Sequence, residues 1–138
     1  MSAYDPVVRT QTLARIVGPY LVIVAVALFA QLDTLHLLFP AFMQDGPLVF
    51  VTGAFTLLVG LVVIALHHHW DSAAAIAISL IGIAAALKGA LLMIAPTLGS
   101  AMTVTVVQTP PLMLIAIVLE LAVGLWLSYV GWFQRSAA

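Results

Sequence analysis

Four apolar segments, each long enough to cross a membrane, dominate this sequence. They cover residues 16–39, 48–66, 73–95 and 111–133, and an α-helix crosses about 30 Å of hydrocarbon in about 20 residues. Because lipid offers no hydrogen-bond partners, a spanning segment must satisfy its own backbone, as a helix does. The sequence lacks the alternation of apolar and polar residues that is typical of membrane strands. It therefore predicts an all-α membrane protein, a bundle of four transmembrane helices that forms one integral membrane domain over residues 1–138.

Composition and charge exclude several other classes of protein. Hydrophobic residues make up 64% of the chain and charged residues 7%, whereas an ordinary soluble domain has about 25% charged residues. Four basic residues and a net charge of −1 leave no electrostatic surface for nucleic acid. Cysteine is absent, and so are the Gly-x-Ser-x-Gly, phosphate-loop and His-Glu-x-x-His motifs. We therefore expect neither enzymatic activity nor a cofactor.

Basic residues near the ends of the spans predict how the chain crosses the membrane. Arg9 and Arg15 precede the first span and Arg135 follows the last, while the two loops on the opposite side contain no Lys or Arg. Loops rich in Lys and Arg stay in the cytoplasm. The sequence therefore predicts a multi-pass membrane protein with both termini and the turn at residues 67–72 in the cytoplasm.

Prolines predict where the spans begin and end. Pro40 marks the end of the first span and Pro96 the end of the third, because proline ends or kinks a helix. Residues 97–109 are rich in Thr and Val and predict an outer loop, partly extended. Pro110 and Pro111 then begin the fourth helix, since proline suits the first helical turn.

Glycines recur seven residues apart in three of the spans. The pairs are Gly53 and Gly60, Gly82 and Gly89, and Gly124 and Gly131. A step of seven residues returns to nearly the same helix face, and small residues let membrane helices approach closely. We therefore predict that these six glycines are helix-packing positions, the alternative being that glycine is simply common in membrane helices. Any glycine face unused within the chain would meet another chain.

Four ionisable residues fall inside the predicted spans. They are Asp33, His36, Lys88 and Glu120. A charge at the centre of a bilayer costs about 2.5–3.5 kcal/mol on insertion scales, so such residues normally find partners. We predict an intramembrane polar cluster in which Lys88 pairs with Glu120, Asp33 or both, with His36 nearby. One interpretation is structural, in which the cluster orients the helices. The other is a proton or cation site, which the lack of a continuous polar lining makes less favourable.

The run His67-His68-His69 raises the possibility of a metal site. Consecutive helical residues point about 100° apart, so three in a row cannot all bind one ion from a helix. We interpret the run as a polar turn at the membrane interface and predict no bound metal, with the three histidines as weak candidate ligands.

The middle of the chain, residues 47–96, carries a pattern of short motifs. In order these are Gly53, Gly60, the His67-x-x-Trp70 turn, Gly82, Lys88-Gly89 and Pro96. The pattern resembles a family of small, uncharacterised bacterial inner-membrane proteins of about this length. The resemblance implies four membrane helices and no catalytic residue, and it makes Lys88 and His67 the residues most expected to matter. His68 and His69 depart from the polar pair expected before Trp70.

The leading functional prediction is a small accessory or structural membrane subunit. So little of the chain lies outside the bilayer that we expect it to self-associate as a homo-oligomer or to dock onto a larger membrane complex, with the lipid bilayer as its surroundings. The alternative is a minimal proton- or cation-coupled transporter or channel that uses Asp33, Lys88 and Glu120.

Overall fold

Six α-helices make up the fold in the computed structural model, which describes residues 5–134. They are α1 (Pro6–Ala30), α2 (Leu32–Gln44), α3 (Gly46–Leu66), α4 (Ala73–Ile94), α5 (Pro96–Gln108) and α6 (Pro110–Trp132), and the described range contains no strand. Helices α1, α3, α4 and α6 are each long and apolar enough to cross a membrane. The predicted all-α class and its four candidate spans are therefore confirmed.

The first candidate span lies earlier in the chain than the predicted residues 16–39. Helix α1 begins at Pro6, where the side chain of Asp5 accepts a hydrogen bond of 3.0 Å from the Val7 N–H. It ends at Ala30, and the N–H of Gln31, the C-cap residue, still bonds to the Ala27 and Leu28 carbonyl oxygens at 3.2 Å each. The prediction was therefore wrong at both ends of this span.

Helix α2 follows this break directly and contains Pro40, which was predicted to end the first span. Proline removes one backbone hydrogen bond from a helix, a loss that membrane helices tolerate when neighbouring groups compensate. The helix continues four residues further, to Gln44, and ends before Asp45. Asp45 instead caps α3, with its side chain 3.1 Å from the Leu48 N–H.

Residues 97–109 were predicted to form an outer loop, and this was wrong because residues 96–108 form α5. Proline at position 96 occupies the first helical position, where its missing N–H costs nothing. Threonine hydroxyls are satisfied inside the helix: Thr103 donates to the Gly99 carbonyl at 3.1 Å and Thr105 to the Ala101 carbonyl at 2.7 Å. This local bonding lets a Thr-rich segment remain helical.

The long helices pack mainly as two pairs, α1 against α6 and α3 against α4. A first buried cluster joins both pairs near the start of α1 and consists of Ala14, Val63, Ala74, Ile78, Leu127 and Val130. A second lies near the other end of α1, where α2 and α5 pack against α1 and α6, and consists of Ala25, Leu35, Val107, Met113 and Ile117. One end of the molecule is thus closed by the long helices, and the other by the two short ones.

Candidate functional site

Glycines on α3 and α4 face each other where the two helices cross most closely. A methyl group added at Gly60 would lie 2.8 Å from the Gly82 carbonyl oxygen, and one at Gly89 would lie 2.7 Å from the Gly53 carbonyl oxygen. Real side chains essentially never approach this closely. The pairing of α3 with α4 therefore depends on the absence of side chains at these positions.

Helices α1 and α6 meet in the same way. A methyl group at Gly124 would lie 3.0 Å from the Gly18 carbonyl oxygen, and one at Gly131 would lie 2.6 Å from the Arg15 backbone nitrogen. Gly18, which sequence reasoning did not single out, would place a methyl group 2.5 Å from the Ser128 backbone nitrogen. All six predicted packing glycines are buried against another helix of the same chain, so none of their faces requires a second chain.

A buried histidine joins three of the long helices where the first cluster closes the molecule. His67 lies just beyond the end of α3 and is 1% exposed. Its Nε2 atom is 2.8 Å from the Thr10 hydroxyl of α1, and its Nδ1 atom is 3.1 Å from the Ser79 hydroxyl of α4. We call these three residues the His67 node. The node connects the α1–α6 pair to the α3–α4 pair.

The hydrogen bonds around His67 indicate how its ring is protonated. The Thr10 hydroxyl donates to the Pro6 carbonyl at 2.9 Å, which leaves it to accept from the imidazole Nε2–H. The Ser79 hydroxyl has one proton, which it donates to the His69 carbonyl oxygen at 3.3 Å. A neutral imidazole has one donor and one acceptor, so the neutral ring requires this proton to turn from the His69 carbonyl toward Nδ1, 3.1 Å away. Burial, followed by the nearby His69 ring, lowers the pKa of His67 and favours the same form.

The other two histidines of the run have different surroundings. The His69 ring lies edge-on to that of His67, with centroids 5.7 Å apart, and its Nδ1 atom is buried with no hydrogen-bond partner among the described residues. His68 is exposed. Over residues 5–134 no group of three or more His, Cys, Asp or Glu side chains is placed to hold a metal ion. Of the three histidines, His67 is buried and structural, His68 is exposed, and the His69 ring lines a cavity.

That cavity has a volume of about 420 Å³ and lies between α1, the turn after α3, the start of α4 and the end of α6. Its polar lining includes Thr10, Gln11, His69 and Asp71, and Trp126 covers part of its wall. Because Thr10 also belongs to the His67 node, the cavity directly adjoins the node.

A second cavity, of about 460 Å³, separates α1 and α2 from α3 and α4. We call it the Lys88 groove. It is lined by Tyr20 of α1; Leu35, Leu38, Phe39, Phe42 and Met43 of α2; Thr52 and Thr56 of α3; and Lys88 and Leu92 of α4. Lys88 is the one charged side chain in this lining. The groove therefore combines a single cation with an apolar wall.

The predicted intramembrane residues are brought together only in part. Lys88 and Glu120 interact electrostatically, but within residues 5–134 the structure shows no ion-pair contact between them. Asp33 and His36 are exposed on α2, where they form no hydrogen bond or ion pair with each other or with Lys88. The neighbours of Lys88 are instead the two threonines of α3, Thr52 and Thr56, and apolar side chains of α2.

Sequence reasoning missed the two partners of His67. Thr10 is 57 residues away in the chain and Ser79 is 12 residues away, and no motif connects them. The available signal was compositional: Ser79 is a polar residue within an apolar span, and Thr10 directly follows Arg9 near the start of the first helix.

Two of the basic residues on which the predicted orientation rests, Arg9 and Arg15, lie near the start of α1. Arg15 of α1 donates through Nε to the Gly131 carbonyl at 2.6 Å, and its guanidinium lies 5.8 Å from the centroid of the Trp132 ring. Arg9 is half-buried in the second turn of α1, and Arg135 lies outside the described residues.

Four long apolar helices and two buried glycine contacts define the class of the molecule, an α-helical chain compatible with a multi-pass membrane protein. No protein-family model, curated protein or solved structure matches the chain. The resemblance carried by residues 47–96 therefore stays a prediction.

Proposed function

We propose that this chain is a small, non-enzymatic accessory subunit of a bacterial inner membrane that associates with itself or docks onto a larger membrane complex. The observation that carries this proposal is the exposed polar face of α2. Asp33 and His36 are exposed one helical turn apart and have no hydrogen-bonding or ion-pairing partner within residues 5–134. Because the described part of the chain supplies no partner for either side chain, this exposed polar face suits a contact with a second protein.

The proposed arrangement is a bundle of four membrane helices with both termini in the cytoplasm. The glycine contacts of α1 with α6 and of α3 with α4 support two tightly packed pairs. The arginines near the start of α1 support a cytoplasmic amino terminus, and four crossings return the chain to the same side. Since the glycine faces are used internally, docking falls to other surfaces.

The interior favours this accessory role over transport. The buried polar side chains among the described residues are Thr10, His67 and Ser79, and they bond to one another at one end of the molecule. A transport path needs a polar lining that continues across the membrane. The electrostatic interaction of Lys88 with Glu120 is the one observation that supports the alternative of proton or cation transport.

The test is the native mass of the assembly, measured after gentle extraction from membranes of the source organism. We expect a particle heavier than the 14.6 kDa chain, with or without other proteins. Replacing Asp33→Asn together with His36→Gln should shift the particle toward the monomer. The matched control is Asp71→Asn with His68→Gln, which removes an exposed acid and an exposed histidine from the turn after α3 and should leave the mass unchanged. A monomer that conducts protons or cations in liposomes would overturn the proposal in favour of transport.

A further inference from the structure

We propose that the Lys88 groove is a binding site for a long-chain carboxylate, an amphiphile of the fatty-acid class. The carboxylate would lie against Lys88, and its hydrocarbon tail would follow the apolar wall supplied by α2. This inference does not rest on the accessory function, because the α2 residues that carry that function, Asp33 and His36, are not part of the groove lining.

The position of Lys88 along α4 favours a carboxylate as its partner. Lys88 lies six residues before Ile94, the last residue of α4, which places it about 9 Å from that end of the helix. A lysine at such a depth normally pairs with an acidic group or faces a cavity. The charge of Lys88 acts on Glu120, but the two side chains make no ion-pair contact within residues 5–134. No carboxylate lines the groove. A ligand carboxylate would provide the missing direct contact.

The groove lining also supplies hydrogen-bond donors that suit a carboxylate. The lysine ammonium carries three N–H donors, and the Thr52 and Tyr20 hydroxyls make no hydrogen bond with described residues. The Thr56 hydroxyl already donates to the Thr52 carbonyl at 2.7 Å. A carboxylate accepts several hydrogen bonds at once, and those from a charged donor are the strongest.

The apolar wall and the volume of the groove favour a hydrocarbon tail. Five side chains of α2 form this wall: Leu35, Leu38, Phe39, Phe42 and Met43. Leucine, phenylalanine and methionine suit a hydrocarbon tail, and methionine adapts easily to its shape. The volume of about 460 Å³ lies within the range of about 300–1,000 Å³ found for small-molecule sites.

The same dimensions disfavour a protein helix as the occupant. One helical turn is about 5.4 Å long and 10–12 Å across with its side chains, so a single turn would already take up a volume of this order. One lysine and no arginine in the lining also match a single negative charge better than a doubly charged headgroup. A single-chain carboxylate meets both conditions.

The experiment uses the full chain in phosphatidylcholine nanodiscs and radiolabelled palmitate at a pH at which the probe is ionised. We expect saturable binding of one palmitate per chain. Loss of a charge-assisted hydrogen bond should weaken the affinity about tenfold or more in Lys88→Met, while Lys88→Arg should retain most of it. Hexadecanol, which has the same tail and no charge, should compete at least about tenfold less well than palmitate.

Two further variants separate binding from folding and from pairing with Glu120. Leu38→Trp, at a half-exposed position in the groove wall, should reduce binding by filling the tail site while the charge remains. Glu120→Gln removes the nearby acid and should leave binding equal or tighter. Equal binding by wild type and Lys88→Met, equal competition by hexadecanol, or loss of binding in Glu120→Gln would each overturn the proposal. The proposal would also be overturned if, in native membranes, a docked protein displaced the labelled palmitate and unlabelled palmitate did not.

Discussion

At the end of the molecule closed by the long helices, three polar side chains from α1, α4 and the turn after α3 bond to one another and are buried. At the end closed by the short helices, Lys88, Asp33 and His36 have no hydrogen-bond or ion-pair partner within residues 5–134. We call these the His67 end and the Lys88 end. The three polar side chains at the His67 end are buried, whereas Lys88, Asp33 and His36 are exposed. The ends also differ in whether the same chain supplies a partner, and this separates a structural polar residue from a candidate binding residue.

Two glycines of α3 differ in what an added methyl group would meet on α4. Near the His67 end, a methyl group at Gly60 would fall on the backbone of Ala86. Toward the Lys88 end, one at Gly53 would meet the Leu92 and Met93 side chains at 3.0 Å, together with the Gly89 carbonyl oxygen. Side chains can move aside more easily than backbone, so Gly53 should tolerate an added methyl group better than Gly60. Four predictions test the comparison of the two ends and of these two glycines.

The largest effect is expected from removing the ring at the His67 end. His67→Ala deletes a buried side chain and two hydrogen bonds that join three helices, and should reduce the free energy of unfolding by about 3 kcal/mol. The control His68→Ala removes an exposed neighbour and should change it by less than about 0.5 kcal/mol. Reversible unfolding in mixed micelles measures both. Similar losses from the two variants would show that the His67 node does not hold the helices together.

The next effect compares two glycines of the α3–α4 contact. Gly60→Ala should reduce stability by about 2 kcal/mol, because overpacking against backbone cannot be relieved locally. Gly53→Ala should cost less than half of that, since side chains can give way. Gly46→Ala, where an added methyl group meets nothing within 4 Å, is the control and should be close to neutral. A larger loss at Gly53 than at Gly60 would contradict the proposed difference between the two glycines.

A smaller effect is expected from pH. The pKa of His67 is lowered from its ordinary value of 6.5, so His67 binds a proton less readily in the folded protein than in the unfolded chain. Stability from this group is therefore complete above about pH 6.5 and decreases as the pH falls below that value. Thermal unfolding from pH 8 to pH 5 should show this loss in wild type and in His36→Gln. In His67→Gln the loss should be smaller, and an unchanged profile there would assign the pH dependence to another group.

The smallest effect is expected at the Lys88 end. Lys88→Met removes a charge that makes no direct contact with another described side chain, so the free energy of unfolding should change by no more than about 0.5 kcal/mol. The same micelle assay used for His67→Ala gives the comparison. A loss approaching that of His67→Ala would mean that Lys88 holds the fold together as His67 does.

Much of the helical framework could be predicted from the sequence because long apolar runs have few alternatives in lipid. The predicted spans 48–66, 73–95 and 111–133 end within two residues of α3, α4 and α6. The spacing of the glycines also indicates that both members of a pair lie at the same helix contact, since a seven-residue step keeps them on one helix face.

The remaining parts of the fold depend on contacts that leave little trace in the sequence. The helix break at Gln31 has no glycine or proline, and the Gln31 N–H still bonds to carbonyl groups of α1. Helix α5 looked like a loop because its threonines favour extended backbone, whereas each bonded threonine returns its hydroxyl to its own helix. Local composition cannot distinguish these outcomes.

The candidate site was predictable residue by residue but not as an arrangement. Lys88 stood out because a lysine in an apolar run is rare, yet its expected ion pairs did not form direct contacts. His67 stood out as part of a run of three histidines, and the approach of Thr10 and Ser79 from other helices distinguishes it from His68. Which residue meets which depends on helix rotation and tilt, and these are set by packing across the whole molecule.

The pairing of α1 with α6 has a consequence for how the protein is made. Arg15 bonds to the carbonyl of Gly131, 116 residues later in the chain, so the first helix cannot meet its partner until the last has been synthesised. The α3–α4 contact joins neighbours in the sequence and can close much earlier. During translation the α1 face around Gly18 therefore remains without its partner helix. The rate at which the ribosome synthesises residues 31–132 determines the length of that interval.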